Sequence, residues 1–385
     1  MVSIAAVRAE LAELVEGLPL VDHHVHGATS DDLDDARFLG MITESDRPGA
    51  PGTSQWDSQV GFAIRRWCAP LLDLEPHASG EDYLSRRRDL GAAEVNRRLL
   101  RACGVGEWLV DTGFSADHLL DVPAMAEVSG ARAREVVRLE AIGEQLARTG
   151  VDAADYGEAV ARTVSDALRG GAAGTKTVMA YRTGFDIDHA RPDAEAVRTA
   201  AGAWLSEVAR SGSTRLADPT LIAHGVWTAL DAGLPLQVHV GLGDTDLDLH
   251  RVNPLLLTPL LRASERLATP VLLLHCWPFH REAGYLAQMF PHAYFDLGLA
   301  INYLGAQSRQ AVSESLEVAP FGKQLYSSDA WGPAELHVLG ARLWRRAITA
   351  VTAEWVADGD WSRADARRVV SLIGAENARR IYPLG

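Results

Sequence analysis

Cysteine is scarce in this chain, with three thiols among 385 residues. Cys68, Cys103 and Cys276 are far apart in the sequence. They therefore lack both the close spacing of a cysteine zinc site and the density of a disulfide framework. We expect reduced thiols, and a fold that depends on apolar packing. At 47% hydrophobic residues, the composition is that of an ordinary globular protein with a sizeable core.

Positive charge is also in short supply. Lys and Arg number 37 against 51 Asp and Glu, which gives a formal net charge of -14 at pH 7. Since binding to phosphate backbones depends on clustered Lys and Arg, this balance argues against a nucleic-acid partner. The arginines at positions 86–88 form a short run that is typical of a solvated face.

Long apolar runs are missing as well. No stretch is long enough to span a bilayer, so we expect no membrane association. Arg8, Glu10 and Glu13 interrupt the first helix-like segment, 2–15, which therefore differs from the apolar region of a secretory signal. These features favour a cytoplasmic protein.

The chain does contain a regular alternation of strand-like and helix-like segments. Short β-branched or alternating apolar segments alternate with amphipathic stretches of helical length. Eight β-then-α repeats predict an α/β fold, a closed (β/α)8 TIM barrel. The predicted strands are 18–23, 107–112, 136–140, 175–180, 234–239, 270–275, 293–297 and 324–328. The predicted helices are 92–102, 116–128, 155–169, 194–211, 219–232, 254–267, 281–289, 305–318, 334–357 and 363–381.

The spacing between the first two strands is far longer than the other spacings. We interpret residues 29–89, which include the Pro- and Gly-rich stretch 47–52, as a helical insertion over the barrel mouth. Residues 1–385 otherwise form a single barrel. Apolar side chains of the insertion, such as Trp56, Phe62 and Trp67, could form either a lid or a contact in a homo-oligomer.

Two histidines stand at the end of the first predicted strand. Residues i and i+2 of a strand point to the same side, so His24 and His26 would project together, with Asp22 on that side too. Neutral imidazole is a common ligand of zinc and related metals. The pair alone fits a metal site and a surface or capping cluster of histidines about equally well.

Polar residues follow three further predicted strands at corresponding positions. His239 ends strand five, His275 ends strand six and Asp329 follows strand eight. The C-terminal ends of barrel strands form the face on which barrel enzymes build their sites. Buried charge there is costly unless it is paired or bound to a metal, so the joint pattern favours a metal site.

These residues, in this order, resemble the ligands of the amidohydrolase superfamily. The segments 176–184, 241–248 and 275–283 are similar to the amidohydrolase 2 branch, which includes nodulin and FluG-type proteins. In that branch such a domain can be fused to a glutamine-synthetase-like one, and we expect no such second domain here. The segment 376–382 is also similar to the end of many members.

The resemblance implies a metal-dependent hydrolase that uses a metal-activated water to cleave an amide C–N bond. His24, His26, His239 and Asp329 would hold one ion, with Asp329 also moving the proton from water to the leaving nitrogen. His275 would stabilise the oxyanion or bind a second ion. Zinc is the first expectation, and Mn, Fe or Ni would suit the same donors. A non-catalytic barrel would be expected to lack some of these ligands, and all are present.

Lys176 decides between one ion and two. An inward lysine in strand four needs a partner or a chemical modification. In binuclear members of the superfamily a lysine on this strand is carboxylated and bridges two metals. The alternative, which we favour slightly, is an unmodified ammonium that binds a substrate carboxylate or pairs with Glu140 or Asp111.

The expected substrate is a small molecule that carries a carboxylate. Tyr181 and Arg182 follow strand four, and Arg182 is suited to binding a carboxylate. Asp244 could receive an α-amino group, although its aspartate-rich loop could equally be a solvated cluster. Trp277 is expected in the pocket wall. A γ-glutamyl amide fits these charges, and a metal-dependent decarboxylase of a conjugated carboxylate is the alternative.

Overall fold

Parallel strands form one curled sheet in which each strand pairs with the next along the chain. The structure is a computed structural model that describes residues 3–114 and 118–384. The regular strands are β1 (Leu20–Val25), β2 (Val105–Asp111), β3 (Arg132–Arg138), β4 (Gly174–Thr177), β5 (Leu236–Val240), β6 (Val271–His275) and β7 (Ala293–Phe295).

The extended segment 324–329 fills the eighth position and closes the barrel. On one side, the backbone N–H of Leu325 donates to the carbonyl oxygen of Phe295 in β7, at 3.0 Å. On the other, His23 N–H in β1 donates to the carbonyl of Tyr326, at 3.3 Å. The predicted TIM barrel is therefore confirmed, although its eighth strand is irregular.

β3 begins four residues before its predicted start. Its first half is charged, and Arg132 and Arg134 pair at 2.7 and 3.1 Å with Glu107, a buried residue of β2. These cross-strand ion pairs, rather than apolar alternation, characterise the first half of the strand. At the other end, Glu140 belongs to a helix that was not predicted.

Helices follow the strands in sequence. The α-helices are α1 (Ile4–Gly17), α2 (Asp35–Met41), α3 (Gln59–Trp67), α4 (Gly80–Ala102), α5 (Val122–Ser129), α6 (Leu139–Arg148), α7 (Tyr156–Arg169), α8 (Ala194–Ser211), α9 (Pro219–Asp231), α10 (Thr258–Ser264), α11 (His280–Met289), α12 (Ala300–Leu304), α13 (Ser308–Ser315), α14 (Ala334–Asp358), α15 (Arg363–Ser371) and α16 (Asn377–Ile381). A π-helical turn, Leu372–Glu376, joins the last two. The predicted helix at 116–128 starts at a residue outside the described ranges, and α5 begins after the N-cap Asp121.

Helices α2 to α4 occupy the long connection between β1 and β2, and a buried ion pair fastens α4 to α14. The Nε of Arg87 lies 2.9 Å from Oε1 of Glu335, which also accepts from the Tyr83 hydroxyl. The expectation of a solvated arginine run was therefore wrong for Arg87. Its neighbours Arg86 and Arg88 remain accessible at the surface. Burial is tolerated because the guanidinium has a charged partner.

Apolar side chains fill the space between sheet and helices. The three cysteines are buried and free, as expected. At the N-terminal end of the barrel, Tyr382 after α16 packs with apolar residues of the strands, among them Val21, Leu109 and Leu272. Within the described residues, no helix combines the length and apolar character needed to cross a membrane.

Candidate metal centre and active site

An irregularity in β1 places the first two histidines. Asp22 and Val25 pair with residues of β2 that are only two positions apart, so the β1 strand carries one extra residue between them. Such bulges re-aim side chains and are frequent beside active sites. His24 is fully buried and His26 almost so, and their ring centroids lie 5.3 Å apart. The predicted convergence of these two imidazoles is present in the structure.

Asp329 brings a carboxylate to the same point. Its Oδ1 lies 2.9 Å from Nε2 of His24 and 3.5 Å from Nε2 of His26. One ligand atom from each of the three residues lies within 4.8 Å of the others. Asp329 adopts a left-handed backbone conformation with φ of 47°, which is uncommon outside glycine and concentrates at functional sites.

The hydrogen bonds of the two imidazoles show that these donors fit a metal. Nδ1 of His24 faces Oε1 of Gln237 at 2.7 Å, and Nδ1 of His26 faces the carbonyl of Asp111 at 3.0 Å. Because both partners only accept, each Nδ1 carries a hydrogen, and Nε2 is the nitrogen that each ring can offer to a metal. Burial, then the nearby Lys176, lowers the pKa of His24 to about 4. His24 is therefore neutral, and its Nε2 and Oδ1 of Asp329 are two donor atoms that a divalent cation could share.

The second carboxylate oxygen of Asp329 faces the opposite way, toward His275. The distance from Oδ2 to His275 Nε2 is 3.2 Å. The pKa of Asp329 lies well below its usual range even though burial opposes ionisation, so its carboxylate is charged. Burial lowers the pKa of His275 well below its usual value, and neither ring nitrogen has a hydrogen-bond partner among the described residues. The carboxylate of Asp329 thus lies between His24 and His26 on one side and the neutral imidazole of His275 on the other.

His239 lies next to this group but outside the three-residue cluster. Its ring centroid is 4.6 Å from that of His275. Its Nε2 contacts the carbonyl of Leu242 at 2.9 Å and the hydroxyl of Tyr181 at 3.0 Å. Burial, then Lys176, lowers the pKa of His239 to about 3, so the ring is neutral. Since Nε2 is engaged, Nδ1 is the nitrogen left for a metal, and this fourth ligand stays a prediction.

Lys176 points into the same group. Its Nζ lies 3.0 Å from Nε2 of His24, and burial lowers its pKa to about 8. The expected ion pairs with Glu140 or Asp111 are not formed. Glu140 accepts hydrogen bonds at the end of β4, while Asp111 pairs with Arg138 at 2.7 Å. The amine therefore contacts a histidine nitrogen rather than a carboxylate.

A cavity of about 410 Å³ opens above these residues. The insertion contributes one wall and the loops after the strands contribute the others. Its lining residues are His26, Gly40, Thr43, Glu44, Ser45, Asp46, Phe114, Arg138, Lys176, Val178, Tyr181, Arg182, Arg215, His239, Asp244, Asp246, Asp329 and Trp331. A small molecule can therefore reach Asp329 and the exposed edges of two histidines.

Three of the four predicted substrate contacts line this cavity. Tyr181, Arg182 and Asp244 are among its walls, whereas Trp277 is not. The backbone carbonyl of Trp277 instead accepts a hydrogen bond from Leu242, at 2.8 Å, which fixes the loop after β5. A direct contact between Trp277 and substrate stays a prediction that this geometry does not support.

The guanidinium groups around the cavity already have acidic partners. Arg182 pairs with Glu144 at 3.1 Å and Arg215 with Asp246 at 3.0 Å. Two carboxyl groups lack such a partner: among the described residues, neither Glu44 nor Asp244 forms an ion pair with a basic side chain. These two carboxyl groups are therefore available to a cationic group of a bound molecule.

Sequence reasoning missed Glu44, Arg138 and Gln237. Arg138 ends β3, and a polar residue at the end of a strand is the signal that identified the histidines. Gln237 lies two residues before His239 in an otherwise apolar strand, so both face the barrel interior. Glu44 gave no signal, because its position depends on how the insertion folds back over the barrel.

The fold and these side chains define a class of protein: a TIM barrel with a cluster suited to a divalent metal at the C-terminal ends of its strands. The amidohydrolase family model matches residues 21–384. The chain belongs to the amidohydrolase family.

Individual relatives agree with this assignment. Protein fluG of Emericella nidulans is 27% identical over 411 residues, which cover 98% of this chain and 47% of that protein. The chain thus spans about half the length of that curated relative. A Lactobacillus casei protein described as a metal-dependent hydrolase has a TM-score of 0.84 at 28% identity, with 96% of each chain covered.

More distant solved structures share the fold. The uronate isomerase of Thermotoga maritima has a TM-score of 0.62 at 14% identity, with 98% of this chain and 97% of that one covered. The glucuronate isomerase of Caulobacter crescentus has a TM-score of 0.63 at 16% identity, with 99% and 94% covered. At these identities the likeness concerns architecture and does not indicate a reaction.

Proposed function

We propose that this protein is a metal-dependent amidohydrolase that cleaves an amide C–N bond of a small molecule. The observation that carries the proposal is the meeting of donor atoms from His24, His26 and Asp329 beneath an accessible cavity. The likeness to a protein described as a metal-dependent hydrolase supports hydrolysis. A cytoplasmic location, a homo-oligomer and a single domain over residues 1–385 stay predictions.

The chemistry divides between the cation and the side chains. A divalent ion, for which zinc is our first choice, would supply water of lowered pKa and polarise the substrate carbonyl. Asp329 takes a proton at Oδ2 and passes it to the leaving nitrogen. His275, 3.2 Å from that oxygen, stabilises the developing oxyanion. We propose one ion with His239 as a further ligand and Lys176 unmodified.

The charges of the cavity favour a substrate with an ammonium group. Burial, then the nearby carboxylates of Asp329 and Asp244, raises the pKa of Glu44 to about 8. Burial also raises the pKa of Asp244. Because neither has a basic partner, a bound ammonium would relieve both. A γ-glutamyl amide supplies this group, with its α-carboxylate at Arg182, which would share its guanidinium with Glu144.

Glu44→Gln is expected to raise KM for a γ-glutamyl amide about tenfold, the effect of one charge-assisted contact, while kcat changes little. The wild-type kcat/KM should rise as pH approaches about 8, because Glu44 loses its proton there and only the ionised form attracts an ammonium. The variant should lose this rise. Steady-state kinetics between pH 6 and 9, at about half-unit steps, measure both effects.

The matched control is a substrate analogue without the α-amino group. Its KM should be the same for wild type and Glu44→Gln, because it offers no cation to the carboxylate. If the variant bound the amine-bearing substrate as well as wild type does, Glu44 would have no part in recognition.

The reaction itself is tested with a panel of γ-glutamyl amides and of conjugated carboxylates, using protein reconstituted with Zn²⁺ or Mn²⁺. Release of amine and glutamate is the expected result. Carbon dioxide without amine would instead identify the decarboxylase. Absence of amine release from every amide would refute the hydrolase proposal.

A further inference from the structure

A buried chain of hydrogen bonds connects His24 with the C-terminal segment. Oε1 of Gln237 in β5 lies 2.7 Å from Nδ1 of His24. The amide nitrogen of the same Gln237 lies 2.7 Å from the carbonyl oxygen of His23 and 2.8 Å from the hydroxyl of Tyr382. Gln237 is completely buried, and both ends of its amide are engaged.

These contacts determine which way the amide points. A backbone carbonyl only accepts hydrogen bonds, so the carbonyl of His23 requires the NH₂ group of Gln237 on its side. The amide oxygen of Gln237 then faces His24. Because that oxygen also only accepts, the hydrogen of His24 is held on Nδ1 and the lone pair stays on Nε2, the atom that faces Asp329.

Tyr382, at the other end of this series of hydrogen bonds, is itself held in place by its neighbours. Tyr382 is buried, and its ring packs so closely on β4 that a Cβ at Gly174 would lie 3.2 Å from it. Its hydroxyl also contacts Nδ1 of His23 at 2.9 Å, while Nε2 of that ring contacts Asp296 at 2.8 Å. Asp296 in turn accepts from the backbone N–H of His275. Gln237 therefore has little freedom to turn.

We propose that Gln237 is a positioning residue for the metal centre. It acts through His24, whose ring orientation and tautomer it fixes, and it does not line the substrate cavity. Partners that orient a metal-ligating histidine in this way commonly change metal affinity about 10- to 100-fold when removed. The inference depends on the proposed metal site and is independent of the reaction.

The test compares Gln237→Met with Gln237→Glu. Methionine has a similar volume but offers His24 no acceptor. A buried glutamic acid keeps an oxygen toward His24 and, when protonated, can still donate to the carbonyl of His23. We expect the Zn²⁺ dissociation constant, measured by competition with a chromophoric chelator, to rise about 10- to 100-fold in Gln237→Met. Gln237→Glu should restore affinity to within about threefold of wild type.

Gln324→Met is the matched control for the loss of a buried glutamine. Gln324 is also buried, and its amide nitrogen donates to Ser315 at 2.7 Å rather than to a histidine. Thermal unfolding of the metal-free proteins should show both methionine variants to be folded and destabilised, with Zn²⁺ affinity reduced only in Gln237→Met.

Wild-type affinity in Gln237→Met would overturn the inference, and so would an equal loss of affinity in Gln324→Met. If the wild-type protein bound no Zn²⁺, both the proposed metal site and the role of Gln237 would be refuted. The Zn²⁺ dissociation constant is measured without substrate. These outcomes can therefore be interpreted even if no amide is found to be hydrolysed.

Discussion

Asp329→Asn is expected to reduce kcat by about 10²- to 10⁴-fold with saturating metal, while the protein stays folded. Asparagine has the same size and keeps one oxygen toward His24 and His26. It cannot take up a proton at the position of Oδ2, so water would not be deprotonated and the leaving nitrogen would not be protonated. Steady-state kinetics at several Zn²⁺ concentrations separate this effect from weaker metal binding.

A matched variant controls for the loss of a negative charge. Asp360 is an exposed carboxylate beyond the end of α14, and Asp360→Asn should leave kcat unchanged. The circular dichroism spectra of both variants should match that of wild type. Substantial turnover by Asp329→Asn at saturating metal would contradict the proton-transfer role of this residue.

His24→Ala is expected to weaken Zn²⁺ binding by more than about 100-fold, beyond the effect of removing its hydrogen-bond partner Gln237. The substitution removes a neutral nitrogen donor that lies 2.9 Å from Oδ1 of Asp329 and leaves that carboxylate with a weaker ligand set. Activity should fall with metal occupancy and recover only in part at high Zn²⁺. The measurement is chelator competition, paired with activity at matched occupancy.

His250→Ala serves as the control, because His250 is exposed and is not among the residues that line the cavity. Its metal affinity and activity should equal those of wild type. If His24→Ala retained wild-type affinity for Zn²⁺, the ligand assignment at β1 would be wrong.

The barrel could be predicted because its strands are short, apolar and separated by amphipathic helices. The predictions were less accurate where polar side chains contribute contacts that apolar periodicity does not reveal. In the eighth position, the N–H of Ser328 bonds to the carboxylate of Asp22 at 3.0 Å, so the segment is not a regular strand. In β3, ion pairs to Glu107 stabilise a charged segment that periodicity reads as a loop.

The candidate ligands could be predicted for a related reason. Polar residues at the ends of buried strands are expensive to bury, so His24, His26, His275 and Asp329 stand out from their apolar neighbours. The cavity walls could not be predicted, since they depend on long-range packing of the insertion. Glu44 comes from that insertion, and the pairing of Arg182 with Glu144 brings together groups that are 38 residues apart.

The most direct test of the metal centre is X-ray diffraction from crystals of Zn²⁺-loaded protein, recorded on both sides of the zinc absorption edge. We predict one anomalous peak within about 2.0–2.2 Å of Nε2 of His24, Nε2 of His26 and a carboxylate oxygen of Asp329. A map with no peak among these atoms, from protein shown to be catalytically active in the same solution, would contradict the account.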